Sequence, residues 1–199
     1  MSKEVHDFLE ELLKHLHEVD FVRAEDVPNI ALYMDQVTSF MDDQLASSRR
    51  HNDDKILTKT MINNYTKNDL LPPPDRKKYS KEHVLTLLFI YYFKNVMSIS
   101  DIQSLLTPLT DKYFGNTEGF NIESIYKEIF DLAYEESKKS VKDLGKKFVR
   151  AQDTFLDYPE EDQKFLHDFS FICMMAYDVY LKKMLIENMI DHMIEENDD

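Results

Sequence analysis

The sequence predicts an all-α protein with at most a short β-hairpin, and three observations carry that prediction. The chain has 199 residues and only three glycines, too few for the many tight turns of an all-β fold. Apolar side chains recur at three- and four-residue spacing over most of its length, the pattern of helices buried along one face. The prolines Pro28, Pro72, Pro73, Pro74, Pro108 and Pro159 punctuate that pattern, ending, interrupting or starting helices. Hydrophobic residues make up 43% and charged residues 31%, so the chain can bury a core and wholesale disorder is excluded.

The elements follow in order. Val5, Phe8, Leu9, Leu12, Leu13 and Leu16 form one apolar face and predict a helix over 4–18. After Pro28 a second helix carries Ile30, Tyr33, Met34, Val37, Met41 and Leu45, and the polar run 46–54 is a loop. A short helix begins near Leu57, capped by Thr58 or Thr60, and ends by Lys67. Pro72, Pro73 and Pro74 then enforce an extended segment. Ser80 starts the next helix, although His83 stands where a capping box has Glu. Val84 to Val96 is apolar nearly all round and predicts the central buried helix of its domain. Ser98 or Ser100 caps a further helix with Ile102, Leu105, Leu106 and Leu109, interrupted at Pro108. Phe114–Phe120, with Gly115 and Gly119, is the expected linker. Ile122 to Phe148 and Pro159 to Ile194 predict two long amphipathic helices, followed by a frayed acidic tail.

Net charge is −14, which by itself argues for a chain that repels nucleic acid and anionic membranes. The charge is unevenly spread. Residues 1–48 carry −8, residues 49–94 carry +5, and residues 95–199 carry −11. Lys59, Asn63 and Thr66 share one stripe of the short helix, with Ile62 and Tyr65 free to face inward. Asn63 and Asn64 suit adenine edges, and Lys67 suits phosphate or guanine. Arg76, Lys77, Lys78 and Lys81 follow the prolines and would grip a phosphate backbone.

The run LTKTMINNYTKNDLLPPPDRKKYSKEH over 57–83 resembles the DNA-binding core of the MerR family of winged-helix regulators. Tyr65 stands five residues before Leu70-Leu71, Pro72 follows, and Arg76, Lys77, Lys78 and Tyr79 match the wing. The stretch from Ser98 to Leu106 is similar to that family's later helix. Two positions depart from the pattern: Asn63 replaces an arginine, and Asp69 replaces a glycine, so the helix end there is expected to be capped in another way. The runs YMDQVTSF, ILTKTMINNYTK, LLPPP and KKYSKEH are also similar to a bacterial family called domain of unknown function 1836, over roughly 28–110. These resemblances imply a winged helix-turn-helix-like domain at 25–112 after an N-terminal helix at 1–24. A helical C-terminal domain for dimerisation or effector binding follows at 118–199.

Other constellations carry less. Seven histidines (His6, His15, His17, His51, His83, His167 and His192) form no compact metal pattern. Cys173 excludes an internal disulfide and reads as a buried, inert thiol in SFICMMAY. The sequence presents no catalytic triad, no paired acids in a cleft and no phosphate loop, so no enzyme, cofactor or metal is expected. Tyr177, Asp178 and Tyr180 could line a pocket for an aromatic or cationic effector. The surplus apolar stripe of the last helix could bury against a second copy.

The expectation is therefore a cytoplasmic homodimer that binds double-stranded DNA and regulates transcription. Its site residues are Lys59, Asn63, Asn64, Thr66, Lys67, Arg76, Lys77, Lys78 and Lys81. The alternative is a non-enzymatic protein-interaction module that keeps the fold without touching DNA. It is motivated by the −14 charge, by Asp69 and by the missing arginine.

Overall fold

The computed structural model describes Asp7, Glu10, Glu11, Leu13, Lys14, residues 21–51 and residues 53–198. The helix expected over 4–18 lies for the most part outside the described residues, as do His6, His15 and His17; the five described positions within it are helical. The described residues form helices α1 (Met34–Gln44), α2 (Lys59–Lys67), α3 (Lys81–Phe93), α4 (Ile99–Tyr113), α5 (Ile122–Gln152) and α6 (Glu160–Asp198). Two short strands, β1 (Leu32–Tyr33) and β2 (Lys78–Tyr79), accompany them. The mostly-α class with minimal β structure is thus as the glycine count and the periodicity predict. By its internal contacts the chain divides into two compact units, Asp20–Leu132 with Glu187–Asp199, and Met1–Val19 with Ala133–Ile186.

In the first unit α3 is the hub. Every residue from His83 to Tyr91 is buried. A helix covered on all sides has no polar face to show, which is why its sequence lacks amphipathic contrast. Val37 and Met41 of α1, Ile62 and Tyr65 of α2, Ile102 and Leu106 of α4, and Ile122 and Tyr126 of α5 complete the core around it. The Tyr126 hydroxyl donates to the Val22 carbonyl at 2.7 Å, which satisfies the one polar atom of a fully buried ring. Burial pushes its phenol well above the usual tyrosine range.

The caps explain where these helices begin. The Met61 N–H donates to Thr58 Oγ1 at 3.2 Å, so Thr58 caps α2. Ser98 and Asp101 exchange side-chain and backbone bonds at 3.1 and 3.2 Å in a full capping box for α4. At α3 the missing Glu is replaced in function by His83. Its Nδ1 accepts the Ser80 N–H at 2.9 Å, while its Nε2 meets the Pro73 carbonyl at 3.2 Å. That pairing assigns the proton of the neutral ring to Nε2.

Five expectations are corrected here. The second helix begins at Met34, not before it: the ladder with Lys78–Tyr79 holds Leu32–Tyr33 extended as β1, and Ile30 and Tyr33 are exposed rather than on an apolar helical face. Helix α4 runs unbroken through Pro108. A proline forfeits one helical hydrogen bond, and buried Leu106 with core-packed Leu109 hold the flanking turns in place. The end of α2 is capped in the ordinary way after all. Asp69 itself takes the left-handed conformation, with φ of 55°. Leu70 N–H then bonds the Tyr65 carbonyl at 2.9 Å and Asp69 N–H the Thr66 carbonyl at 3.4 Å, the two bonds of a Schellman motif. The segment 114–120 is a turn fastened within the first unit rather than a free connection. Its Gly115 N–H donates to Glu82 Oε2 at 2.8 Å, and Phe114 packs edge-on to His83. Gly115 and Gly119, with φ of 73° and 80°, supply its left-handed positions. Finally, Cys173 is exposed rather than buried.

The strands pair antiparallel, Leu32 with Tyr79 and Tyr33 with Lys78. A further bridge joins Asp75 to Lys78, whose N–H donates to the Asp75 carbonyl at 2.8 Å. Between them Arg76 and Lys77 both have positive φ, 49° and 65°. Two consecutive left-handed residues are the signature of a type I′ hairpin turn. The hairpin expected near 73–79 therefore exists, as a minimal turn that passes its second strand on to β1.

The second unit is built on an antiparallel-type helix pair from α5 and α6, joined by the turn 153–159. Phe148 and Ala151 are buried, and Phe148 meets Phe171 edge-to-face at 5.2 Å. The Lys147 ammonium bridges Asp143 at 2.8 Å and Asp178 at 2.7 Å. The turn contains Phe155 at φ of 56° and is closed by a contact of 2.7 Å between His167 Nε2 and the Thr154 carbonyl.

Candidate nucleic-acid interface

Helix α2 divides cleanly into two faces. Ile62 and Tyr65 are buried, Met61 and Thr66 are half-buried, and Lys59, Thr60, Asn63, Asn64 and Lys67 are exposed. At about 100° per residue the exposed five occupy one arc of about 140°. That arc holds two amides, a hydroxyl and two ammonium groups, with no carboxylate.

Thr66, expected on the stripe, lies at the edge of the arc, and its hydroxyl donates to the Ile62 carbonyl at 3.2 Å. Thr60, which the sequence reading treated only as a possible cap, is on the arc instead. Its signal was the 100° projection of the whole helix rather than a count of four- and three-residue steps. The Asn63 and Asn64 side chains have no hydrogen-bond partner among the described residues. The Asn64 carbonyl accepts Asn68 Nδ2 at 2.8 Å, and Gln103 Nε2 donates to the Asn68 carbonyl at 3.0 Å. The end of α2 is thereby tied to α4.

The basic turn is the second part of the site. Arg76, Lys77 and Lys78 are exposed, and Arg76 and Lys77 form no ion pair among the described residues. Lys78 Nζ sits over the Tyr33 ring, 5.1 Å from its centroid. Lys59 pairs with Asp35, two residues beyond Tyr33. The chain of contacts from Lys59 to Asp35, and from Tyr33 to Lys78, brings the start of α2 and the strand leaving the basic turn to the same β1–α1 junction. Lys81 is elsewhere in character. Its side chain is 13% exposed and its ammonium pairs with Glu123 at 2.7 Å, joining α3 to α5.

His83 braces this arrangement from below. It is 4% exposed, flanked edge-on by Tyr79 and Phe114, and holds both Pro73 before the turn and Ser80 after it. Burial lowers its pKa from the ordinary histidine value, against an opposing hydrogen bond to the Pro73 carbonyl.

The residues considered for an effector sit in the second unit. Tyr177 and Tyr180 are each more than half exposed, with ring centroids 6.4 Å apart. Asp178 accepts from Lys147 at 2.7 Å and from Lys182 at 3.3 Å, and the Lys147 hydrogen bond leads the causes that hold its carboxyl below the usual range. Its charge is therefore already balanced by lysines. Among the described residues no three potential metal ligands cluster, and no helix is long and apolar enough to cross a membrane.

Comparison with known proteins gives one match. A family model described as a domain of unknown function, DUF1836, covers residues 22–129. That span includes β1, α1, α2, the basic turn, β2, α3 and α4. Neither the curated proteins nor the solved structures include a match to the chain. With more than half of its length matched, and with the whole candidate interface inside the match, the chain belongs to the DUF1836 family.

Proposed function

We propose that the protein is a DNA-binding transcriptional regulator of winged-helix type that acts as a homodimer in the cytoplasm. The observation that carries this reading is the junction of two cation-bearing elements. The carboxylate-free face of α2 and the left-handed Arg76-Lys77 turn are linked through Lys59, Asp35, Tyr33 and Lys78. In this reading α2 enters the major groove and the turn clamps the adjacent phosphate backbone. In this reading the first unit binds DNA, and the second, with Ala133–Ile186, serves dimerisation or effector response.

The exposed face of α6 supports the dimer. Phe165, Phe169, Ile172, Ala176 and Val179 alternate at four- and three-residue spacing, and all five are exposed. This is the a/d seam of a coiled coil left open to solvent. Burying it against its own copy removes the apolar surface and creates a two-fold axis, so the operator is palindromic. Replacing Lys77 and Lys78 together by Glu tests the interface. The account expects a folded protein with its DNA affinity abolished, and undiminished affinity would refute it.

One observation favours the protein-interaction reading instead: Asp35 already neutralises Lys59 in a chain of net charge −14. That reading predicts a stable protein partner and no salt-dependent retention on DNA.

A further inference from the structure

We infer that the operator half-site is read at adenine·thymine pairs, by the amides of Asn63 and Asn64 with Thr60 beside them. This deepens the regulator reading and rests on it. The first two turns of a recognition helix supply its base contacts, and in α2 those turns expose Lys59, Thr60, Asn63 and Asn64. Lys59 is turned toward Asp35 in an exposed ion pair. Lys67 lies in the last turn, where a cation meets phosphate more readily than a base edge.

What remains unpaired to reach bases is two amides and the Thr60 side chain, with its hydroxyl and its methyl. A carboxamide presents a donor and an acceptor in one plane and pairs with adenine N6 and N7 together. The Thr60 methyl fits against a thymine methyl. Guanine would call for an arginine or a free lysine at these positions, and cytosine for a carboxylate. The exposed arc has no arginine and no carboxylate, and its one early lysine is paired. Neither amide is consumed internally among the described residues, and the Schellman end of α2 with its tie to Gln103 fixes the helix that presents them.

Site selection from a randomised duplex pool by the full chain and by two variants tests the inference. The wild type is expected to select half-sites with at least two adenine·thymine positions, each discriminating roughly 5- to 150-fold against a wrong pair. Asn63→Arg should exchange one adenine for guanine in each half-site. Asn64→Ala should erase the preference at a different position. Both side chains are exposed, so neither change disturbs the core. A wild-type consensus with guanine·cytosine at the altered positions overturns the inference, as does one that neither variant changes. Retention of DNA with no consensus overturns it while leaving the DNA-binding reading standing. Failure to retain any duplex at low salt overturns both.

Discussion

The basic turn sets stability against function in a way that can be measured. Arg76 and Lys77 occupy left-handed backbone at φ of 49° and 65°. Each such non-glycine residue costs about 1–2 kcal/mol. Asn-Gly is the preferred pair for a type I′ turn, so Arg76→Asn with Lys77→Gly relieves most of that cost. The glycine returns about 0.5–1 kcal/mol through the greater freedom of the unfolded chain. The net expectation is a gain of about 1 kcal/mol, or about 2–4 °C in Tm for a chain of this size. The same substitution removes two exposed cations. Each lost phosphate contact takes about 0.9 from the slope of log affinity against log salt, so the slope should shrink by about 2 and affinity should fall. Thermal unfolding and a salt titration on one preparation read both effects. A lower Tm would refute the strain argument. An unchanged salt slope would refute the placement of Arg76 and Lys77 against phosphate.

Other consequences are simpler. Asp69→Gly should raise stability by up to about 1 kcal/mol, since glycine meets the left-handed position of the Schellman motif without steric cost; a loss in denaturant unfolding would contradict that motif. His83 is held below its ordinary pKa of 6.5, so below that pH the unfolded chain binds more protons than the folded one. Stability should be full above about pH 6.5 and fall as the pH drops toward the folded value, by at most about 1.4 kcal/mol per pH unit. His83→Gln can keep the bond to Ser80 N–H and should flatten that dependence; denaturation midpoints between pH 7.5 and 5 give the comparison. Ile172→Asp places a charge in the open seam of α6 and should yield a monomer by sedimentation while the helix content holds. An unchanged dimer would move the interface elsewhere.

Much of the first unit was legible in the sequence because burial and periodicity coincide there. Ile62 and Tyr65 read as inward positions, and the apolar run of α3 read as the hub, because each lies in a helix with a single consistent environment. The misreadings share a different cause. Asp69 was judged by residue type, yet the Schellman bonds to Leu70 and the burial of Leu70 and Leu71 outweigh the left-handed cost of a residue other than glycine. Lys81 read as one more wing cation because its partner Glu123 lies 42 residues away. Cys173 read as buried because α6 is apolar on nearly every side across the short run SFICMMAY. A long helix in a helix pair hides only one of those sides, and the remainder, with Cys173 among it, stays open. Family membership was legible from four short runs, all of which lie in or beside the surfaces of α1, α2 and the basic turn.

The central claim is that α2 and the basic turn together bind duplex DNA. A salt titration of the full chain on random genomic duplex fragments, with sequencing of what is retained, tests it most directly. The account predicts retention of a shared palindrome, with log affinity falling against log salt at a slope of about −4 to −5 for four to six phosphate contacts. A folded dimer that retains no fragment even at low salt would contradict it.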